Sequence, residues 1–160
     1  MNIDEKMNGY LEDYEVGRTY ILGEFSVDEC EIIEFAEKFD PQPFHVNPIA
    51  AKGTQFGGVI DSGYHVLSMA MRLLVDRFIS PKSSIVSPGL DEIRWHQPTR
   101  PGDRLRCQVT VTSMRPSKSK PDRGILYDLV ELHNQDGDLV LSYKSMGMYY
   151  RNPEVTVAVK

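Results

Sequence analysis

An α+β fold, with a curved antiparallel sheet of about five strands wrapped around one long central helix, is what this 160-residue sequence predicts. Three observations carry that expectation. The segment YHVLSMAMRLLVDRF, residues 64–78, contains no Gly or Pro and is rich in helix formers. Its apolar residues, from Val66 through Ala70 and Leu74 to Phe78, cover most of the helical circumference, the pattern of a helix surrounded by protein. The second half of the chain alternates apolar and polar residues between turn signals, which is the period of half-buried strands.

Taken in order, LEDYEVGRTYILGEFSV predicts a turn at Gly17 and a strand over residues 19–25. Ser26 and Asp28 offer caps for a short amphipathic helix. Its apolar positions Ile32, Ile33, Phe35, Ala36 and Phe39 fall at helical spacing until Pro41 interrupts. A Pro-rich stretch, DPQPFHVNPIAAKG, and a Gly-rich one, TQFGGVIDSG, lead into the long helix. Strands follow at about 84–97 with a Pro-Gly interruption, 104–114, 124–134 and 138–150, and Asp136-Gly137 is a strong hairpin turn between the last two. Strands curled round one helix in this way form the hot-dog arrangement.

Composition narrows the possible functions. A chain of this length buries roughly 70% of the surface its unfolded form exposes, so neither a disulfide nor a metal is needed for stability. Hydrophobic residues at 41% and charged residues at 26% are ordinary for a globular domain. Glycines and prolines are scattered rather than pooled in a linker and no repeat appears, so residues 1–160 read as one domain with its core over about 10–150. The net charge of −5 has the wrong sign for a nucleic-acid binder. No apolar run reaches membrane-spanning length and MNIDEKMNGY lacks the features of an export signal, which makes the expected location cytoplasmic, without a membrane partner. Cys30 and Cys107, far apart and without a CxxC motif, are expected as buried free thiols.

Chemistry is suggested by EFAEKFDPQPFHV, where Asp40 and His45 lie five residues apart across a segment stiffened by Pro41 and Pro43. A carboxylate beside an imidazole can hold a water between them and share proton transfers to and from it. A lone Asp and His in a loop can equally be a cap and a surface or core histidine, and the residues alone leave both readings standing. Similarly, in FGGVIDSGYHV the residues Ser62 and Gly63 precede the long helix, whose first N–H groups have no intrahelical partners. A thioester carbonyl could be polarised there by the Gly63 N–H. The plainer reading makes Ser62 an N-cap and the glycines a turn, and the two are compatible.

These segments resemble the MaoC-like dehydratases, a family that includes (R)-specific enoyl-CoA hydratases, in several places and in the right order. FAEKFDPQPFHVNPIAA is similar to the hydratase motif, FGGVIDSGYHV to the approach to the hot-dog helix, TRPGDRL to a turn into the next strand, and SKSKPDRGILYDLVELHNQDGDLVLSYK to the C-terminal hairpin. The resemblance implies that Asp40 and His45 bind and activate water, that Gly63 N–H faces the thioester oxygen, and that Ser62 supports the site. It implies reversible hydration of an enoyl-CoA or related 3-hydroxyacyl thioester, with no cofactor beyond the coenzyme A or carrier-protein thiol of the substrate. It also implies a homodimer, or a higher assembly of such dimers. Where the family commonly has Gly before the aspartate and Asn two residues after it, this chain has Phe39 and Gln42, which points to a different acyl group.

Phe44, Gly57 and Gly58 are further candidates for substrate contact, and Lys118, Lys120 and Arg123, in the basic loop RPSKSKPDRG, for the phosphates of coenzyme A. His65 and His96 are expected to pack or lie at the surface, Trp95 to anchor the core or a subunit interface, and no residue set suggests a metal. Two other functions fit the same fold: a thioesterase, which directs water at the carbonyl carbon, and a non-catalytic acyl-thioester-binding protein. Release of free thiol, measured beside 3-hydroxyacyl product, separates the three.

Overall fold

The computed structural model describes residues 2–157, which form a five-stranded antiparallel sheet and five α-helices. The strands are β1 (Thr19–Ser26), β2 (Ser84–Trp95), β3 (Arg104–Pro116), β4 (Arg123–His133) and β5 (Leu139–Tyr150), in the spatial order β1-β3-β4-β5-β2. The helices are α1 (Glu29–Phe39), α2 (Pro43–Val46), α3 (Pro48–Lys52), α4 (Gly63–Leu73) and α5 (Pro153–Val157). The strands expected from alternation are all present.

β4 lies at the centre and alternates strictly between buried and half-buried positions. Its inward residues Leu126, Val130 and Leu132 meet Val66, Ala70, Leu74 and Phe78 of the long helix in one core cluster. That helix is continuous over the expected span, but its last turn, Leu74–Phe78, widens to π geometry, with Ile79 N–H donating to the Leu74 carbonyl five residues back. An aromatic group closes this end: Tyr14 packs on Phe78 and Tyr149 at 5.2 Å each, and its hydroxyl donates to the Phe78 carbonyl. Burial is confined to one side of the helix. Met71 and Val75 are about half exposed, because a single sheet can cover only the face that lies against it.

Local chemistry sets the boundaries. Asp28 caps α1 by accepting from the Cys30 and Glu31 N–H groups, and Asn47 caps α3 in the same way. The prolines of the Pro-rich segment do not keep it extended. Pro43 and Pro48 each start a short helix, at the position where a missing N–H costs nothing. At the expected hairpin Gly137 has φ +88°, and the Asn134 side chain accepts from the N–H groups of Asp136 and Asp138. In β2 the register shifts near Gly89, as the Pro-Gly pair suggests. It shifts again between Asp91 and Arg94, where Glu92 takes a φ of 51° that no sequence signal announces.

Two expectations need correction. Cys107 is buried, and burial pushes its thiol up to about 12, but Cys30 is exposed because it sits on the outer face of α1's first turn. Trp95 is 44% exposed and so anchors no core. Among the described residues no helix is long and apolar enough to cross a membrane.

One inward position on β4 breaks the apolar pattern. Asp128 is 3% exposed, and burial pushes its carboxyl from 3.8 up to about 7, against the lowering effect of a Ser145 hydroxyl that donates to it. A proton is therefore held more tightly in the folded than in the unfolded chain. This group's contribution is most favourable below the unfolded value of about 4, is lost as pH rises to about 7, and stays lost above that. We expect Asp128→Asn to flatten that part of the pH profile, so that the variant gains on the wild type between about pH 4 and about pH 7 in urea unfolding. Parallel profiles would show that Asp128 titrates alike in both states.

Candidate active site

Asp40 and His45 are brought together by the end of one helix and the start of the next. Asp40 closes α1, its N–H donating to the Ala36 carbonyl at 2.8 Å, and its backbone then turns out of the helix ahead of Pro41. Gln42 occupies the N-cap position of α2 without a side-chain cap hydrogen bond, and His45 is the third residue of that short helix. The segment 59–62 runs alongside: Ile60 N–H donates to the Phe44 carbonyl, and Asp61 N–H to the Thr99 carbonyl in the TRPGDRL turn. As a result His45, Asp40 and Ser62 converge from three elements.

Hydrogen bonding sets the histidine's tautomer. His45 Nδ1 lies 2.7 Å from the Ile60 carbonyl oxygen, which can only accept, so Nδ1 carries a proton. Nε2 is left 3.3 Å from Asp40 Oδ2, and the imidazole is almost wholly buried, with Phe44 packed edge-on at 4.6 Å. With a neutral ring, a nitrogen lone pair and a carboxylate oxygen face one another. A water beside the pair, within reach of both atoms, could donate one hydrogen to each and be oriented by them.

The Gln42 amide and the Ser62 hydroxyl, each donating to Asp40 at 2.7 Å, hold its carboxyl below the ordinary 3.8, against an opposing effect of burial and with a further contribution from His45. Asp40 is therefore ionised at neutral pH. Gln42, a departure from the commoner Asn, thus bonds to the carboxylate, whereas Phe39 points outward, 64% exposed.

Ser62 differs from the plainer sequence reading. It occupies the N-cap position of α4, but its hydroxyl donates to Asp40 and makes no cap hydrogen bond. The Gly63 N–H donates to no described group, so the positive end of the helix is left beside the carboxylate and imidazole. Gly63 is required for a reason that its sequence context conceals. A Cβ there would come within 2.5 Å of the Trp95 indole, whose Nε1–H donates to the Gly63 carbonyl at 3.0 Å. Trp95 thus braces the start of the helix, a role missed from sequence because no local pattern links residues 32 positions apart.

The remaining candidates divide. Phe44 lines the His45 ring and touches Phe56, and Gly57 adopts φ +67° in the loop before the site, while Gly58 approaches Arg100, whose guanidinium donates to the Phe56 carbonyl. Lys118, Lys120 and Arg123 are not brought to the pair within the chain. Trp95 sits level with Leu132 of β4 through Leu141, whereas the basic loop joins β4 at Arg123. Nine residues of strand, about 30 Å, separate those levels. Arg123 is also engaged by Asp122 at 2.8 Å and by the Tyr150 ring. His65 is held by Asp61 at 2.9 Å and stacked on Phe35, and His96 meets the Ser142 hydroxyl. Among the described residues no group of three His, Cys, Asp or Glu could hold a metal ion.

One long helix against a single antiparallel sheet, with a carboxylate and an imidazole at the helix start, defines a hot-dog protein. Comparison with known proteins identifies the family. Residues 13–131 match the MaoC like domain, and the chain belongs to that family. The (R)-specific enoyl-CoA hydratase of Rhodospirillum rubrum is 30% identical over 119 residues, covering 74% of this chain and 80% of that protein. The 3-hydroxybutyryl-CoA dehydratase of Methylorubrum extorquens is 30% identical over 112 residues, 69% of each chain. Among solved structures, the MaoC-like dehydratase from Rhodospirillum rubrum superposes with a TM-score of 0.84 at 38% identity, over 91% of this chain and 99% of that one.

The donor set around Asp40 gives a direct test. We expect Gln42→Ala and Ser62→Ala each to raise the Asp40 pKa, read by carbon-detected NMR titration of the side-chain carboxyl. An unchanged titration in both variants would show that these two donors do not hold the carboxylate in its charged form.

Proposed function

We propose that this chain is a hydratase/dehydratase acting on enoyl-CoA and 3-hydroxyacyl thioesters, with Asp40 and His45 activating the water and the Gly63 N–H polarising the thioester carbonyl. The observation that carries this reading is the juxtaposition of an ionised carboxylate, a histidine of fixed tautomer and a helix-start N–H that donates to no described group. The names of the relatives support the same class of reaction.

In hydration, the water held by Asp40 and His45 attacks the β-carbon as the pair removes its proton. The electron pair of the double bond moves toward the carbonyl, and negative charge builds on the thioester oxygen, opposite Gly63 N–H and the helix dipole. The pair then returns a proton to the α-carbon. H and OH have been added and the enzyme is unchanged, so the same groups run the reverse dehydration. Ser62 acts through Asp40 and is a positioning residue. The chemistry uses no cofactor besides the thiol carrier, whether coenzyme A or a carrier protein.

We further propose a homodimer as the minimal active unit, either alone or assembled into larger sets of dimers. The outer edge of β1 is partly closed by the N-terminal segment, where Asp4 exchanges hydrogen bonds with Ile21. β2, at the other edge, carries exposed Val86, Leu90 and Trp95 beside Met71 and Val75 of the helix. An apolar edge of this kind is a surface for pairing with another copy.

Asp40→Asn and His45→Ala are each expected to lower kcat on an accepted enoyl-CoA by about 10²-fold or more while leaving Tm unchanged, since each removes a proton-transfer group. Full activity in either would end the assignment, and thiol release without 3-hydroxyacyl product would make the protein a thioesterase. Gly63→Pro removes the proposed oxyanion donor and is expected to cost about 10²-fold. It counts against that role if the variant folds normally and keeps wild-type kcat. Light scattering tests assembly: a mass near the 18.2 kDa monomer with undiminished activity would show that each chain completes its site unaided.

A further inference from the structure

One apolar cavity lies apart from the Asp40–His45 pair. It holds about 560 Å³ and opens one helical turn beyond Gly63. One wall is the helix face that carries Leu67, Met71 and Val75, positions that continue from Gly63 at spacings of four. The opposite wall is β2, through Val86 and Leu90, so the cavity lies along the apolar edge proposed above to meet a second copy, which would close its open side, and β5 and β4 make the floor. Neither Gly63 nor the Trp95 indole beside it lines the cavity, which starts at Leu67, so an arm of a thioester whose carbonyl met Gly63 N–H would reach it past Trp95.

The floor is where the cavity departs from a plain hydrocarbon pocket. Asp128 lies there, on an inward position of β4, directly across the sheet from Ser145 of β5. The Ser145 hydroxyl donates to Asp128 Oδ1 at 2.6 Å. No described group donates to the second carboxyl oxygen. Among the described residues no side-chain nitrogen or oxygen is both sealed from solvent and unpaired, so that oxygen keeps accessible surface, and the cavity is what it borders. A carboxyl at a core position is costly unless its hydrogen bonds are made, and one acceptor here awaits a donor.

We propose that this cavity is the acyl-chain site and that Asp128, with Ser145, selects acyl groups that are apolar along their length and carry a hydroxyl at the depth of the sheet. The assignment rests on the thioester reading of the Gly63 end. A hydroxyl supplies the missing donor, while the apolar walls take the carbon chain. A methyl-terminated chain of the same length strips water from the second carboxyl oxygen and gives nothing back. Burial pushes the carboxyl up to about 7, so both charge states are populated at neutral pH, and a hydroxyl suits either, donating to the carboxylate or accepting from the neutral acid. The site is legible in β4 itself: in RGILYDLVELH the inward set is Gly124, Leu126, Asp128, Val130 and Leu132, and only Asp128 is charged.

Saturated acyl-coenzyme A thioesters have no double bond to hydrate and so separate binding from turnover. Calorimetry on the wild-type protein would compare methyl-terminated with terminally hydroxylated acyl-CoA over a series of chain lengths. We expect the hydroxylated member to bind about tenfold or more tightly at one length at least. Asp128→Leu should remove or reverse the preference, and Asp128→Asn, which keeps a hydrogen-bonding oxygen, should retain part of it. Methyl-terminated chains binding as well at every length, no binding of either kind, or a preference that survives in Asp128→Leu would each overturn the proposal. Turnover of the matching enoyl-CoA pairs tells the two readings apart. Hydration without a hydroxyl preference removes this pocket assignment and leaves the hydratase, whereas hydroxyl-selective binding without hydration does the opposite.

Discussion

One proton organises the candidate site, that of the Ser62 hydroxyl. A serine ahead of a helix ordinarily turns its oxygen back to accept from the first turn. Here the hydroxyl donates 2.7 Å away to Asp40. That choice ties the end of α1 to the start of α4 and adds to the donors that keep the carboxylate charged, while the Gly63 N–H, which a serine cap would not reach, donates to no described group. Trp95 then braces the same peptide from the β2 side by donating to its carbonyl. With no side-chain cap on its first turn, the helix presents a positively polarised end, which is what a developing oxyanion requires.

The two carboxylates, Asp40 and Asp128, differ in environment, and each environment suits the role proposed for it. Asp40 receives two side-chain donors at the mouth of a loop and is held below the usual range, ready to accept a proton from water. Asp128, under the core with a single donor, is pushed up to about 7 and remains a hydrogen-bonding group rather than a fixed charge. Environments that drive like groups in opposite directions are a common way for one fold to divide chemistry from recognition. The fold separates them along the helix, with Asp40 beside its first residues and Asp128 beneath its later turns.

Much of this was legible from local patterns. Period-two alternation found every strand, and the Gly-free apolar run found the long helix, because both signals depend on the side-chain geometry of a single segment. The Asp-Pro-Gln-Pro-Phe-His segment was readable as a candidate pair because two prolines restrict so short a span. What escaped was pairwise and distant. Nothing near Gly63 says that the Trp95 ring occupies the space of a Cβ, and nothing near Lys118 says that its loop lies at the far end of β4. Asp128 is an intermediate case: its break in the β4 pattern was visible, but its meaning required Ser145 opposite and a cavity beside it.

By itself, then, the sequence determined the order of the strands and of the two longer helices, the helix cap at Asp28, the hairpin at Gly137 and the short separation of Asp40 from His45. Each of these is set by backbone preferences and hydrogen bonds within a few residues. The tertiary structure decided the direction of the Ser62 hydroxyl, the histidine tautomer imposed by the Ile60 carbonyl, the bracing of Gly63 by Trp95 and the placing of Asp128 under the helix. These depend on which surfaces meet when the sheet closes on its helix. Hydrogen-bond partners many residues apart are chosen by that packing, and no local propensity encodes it.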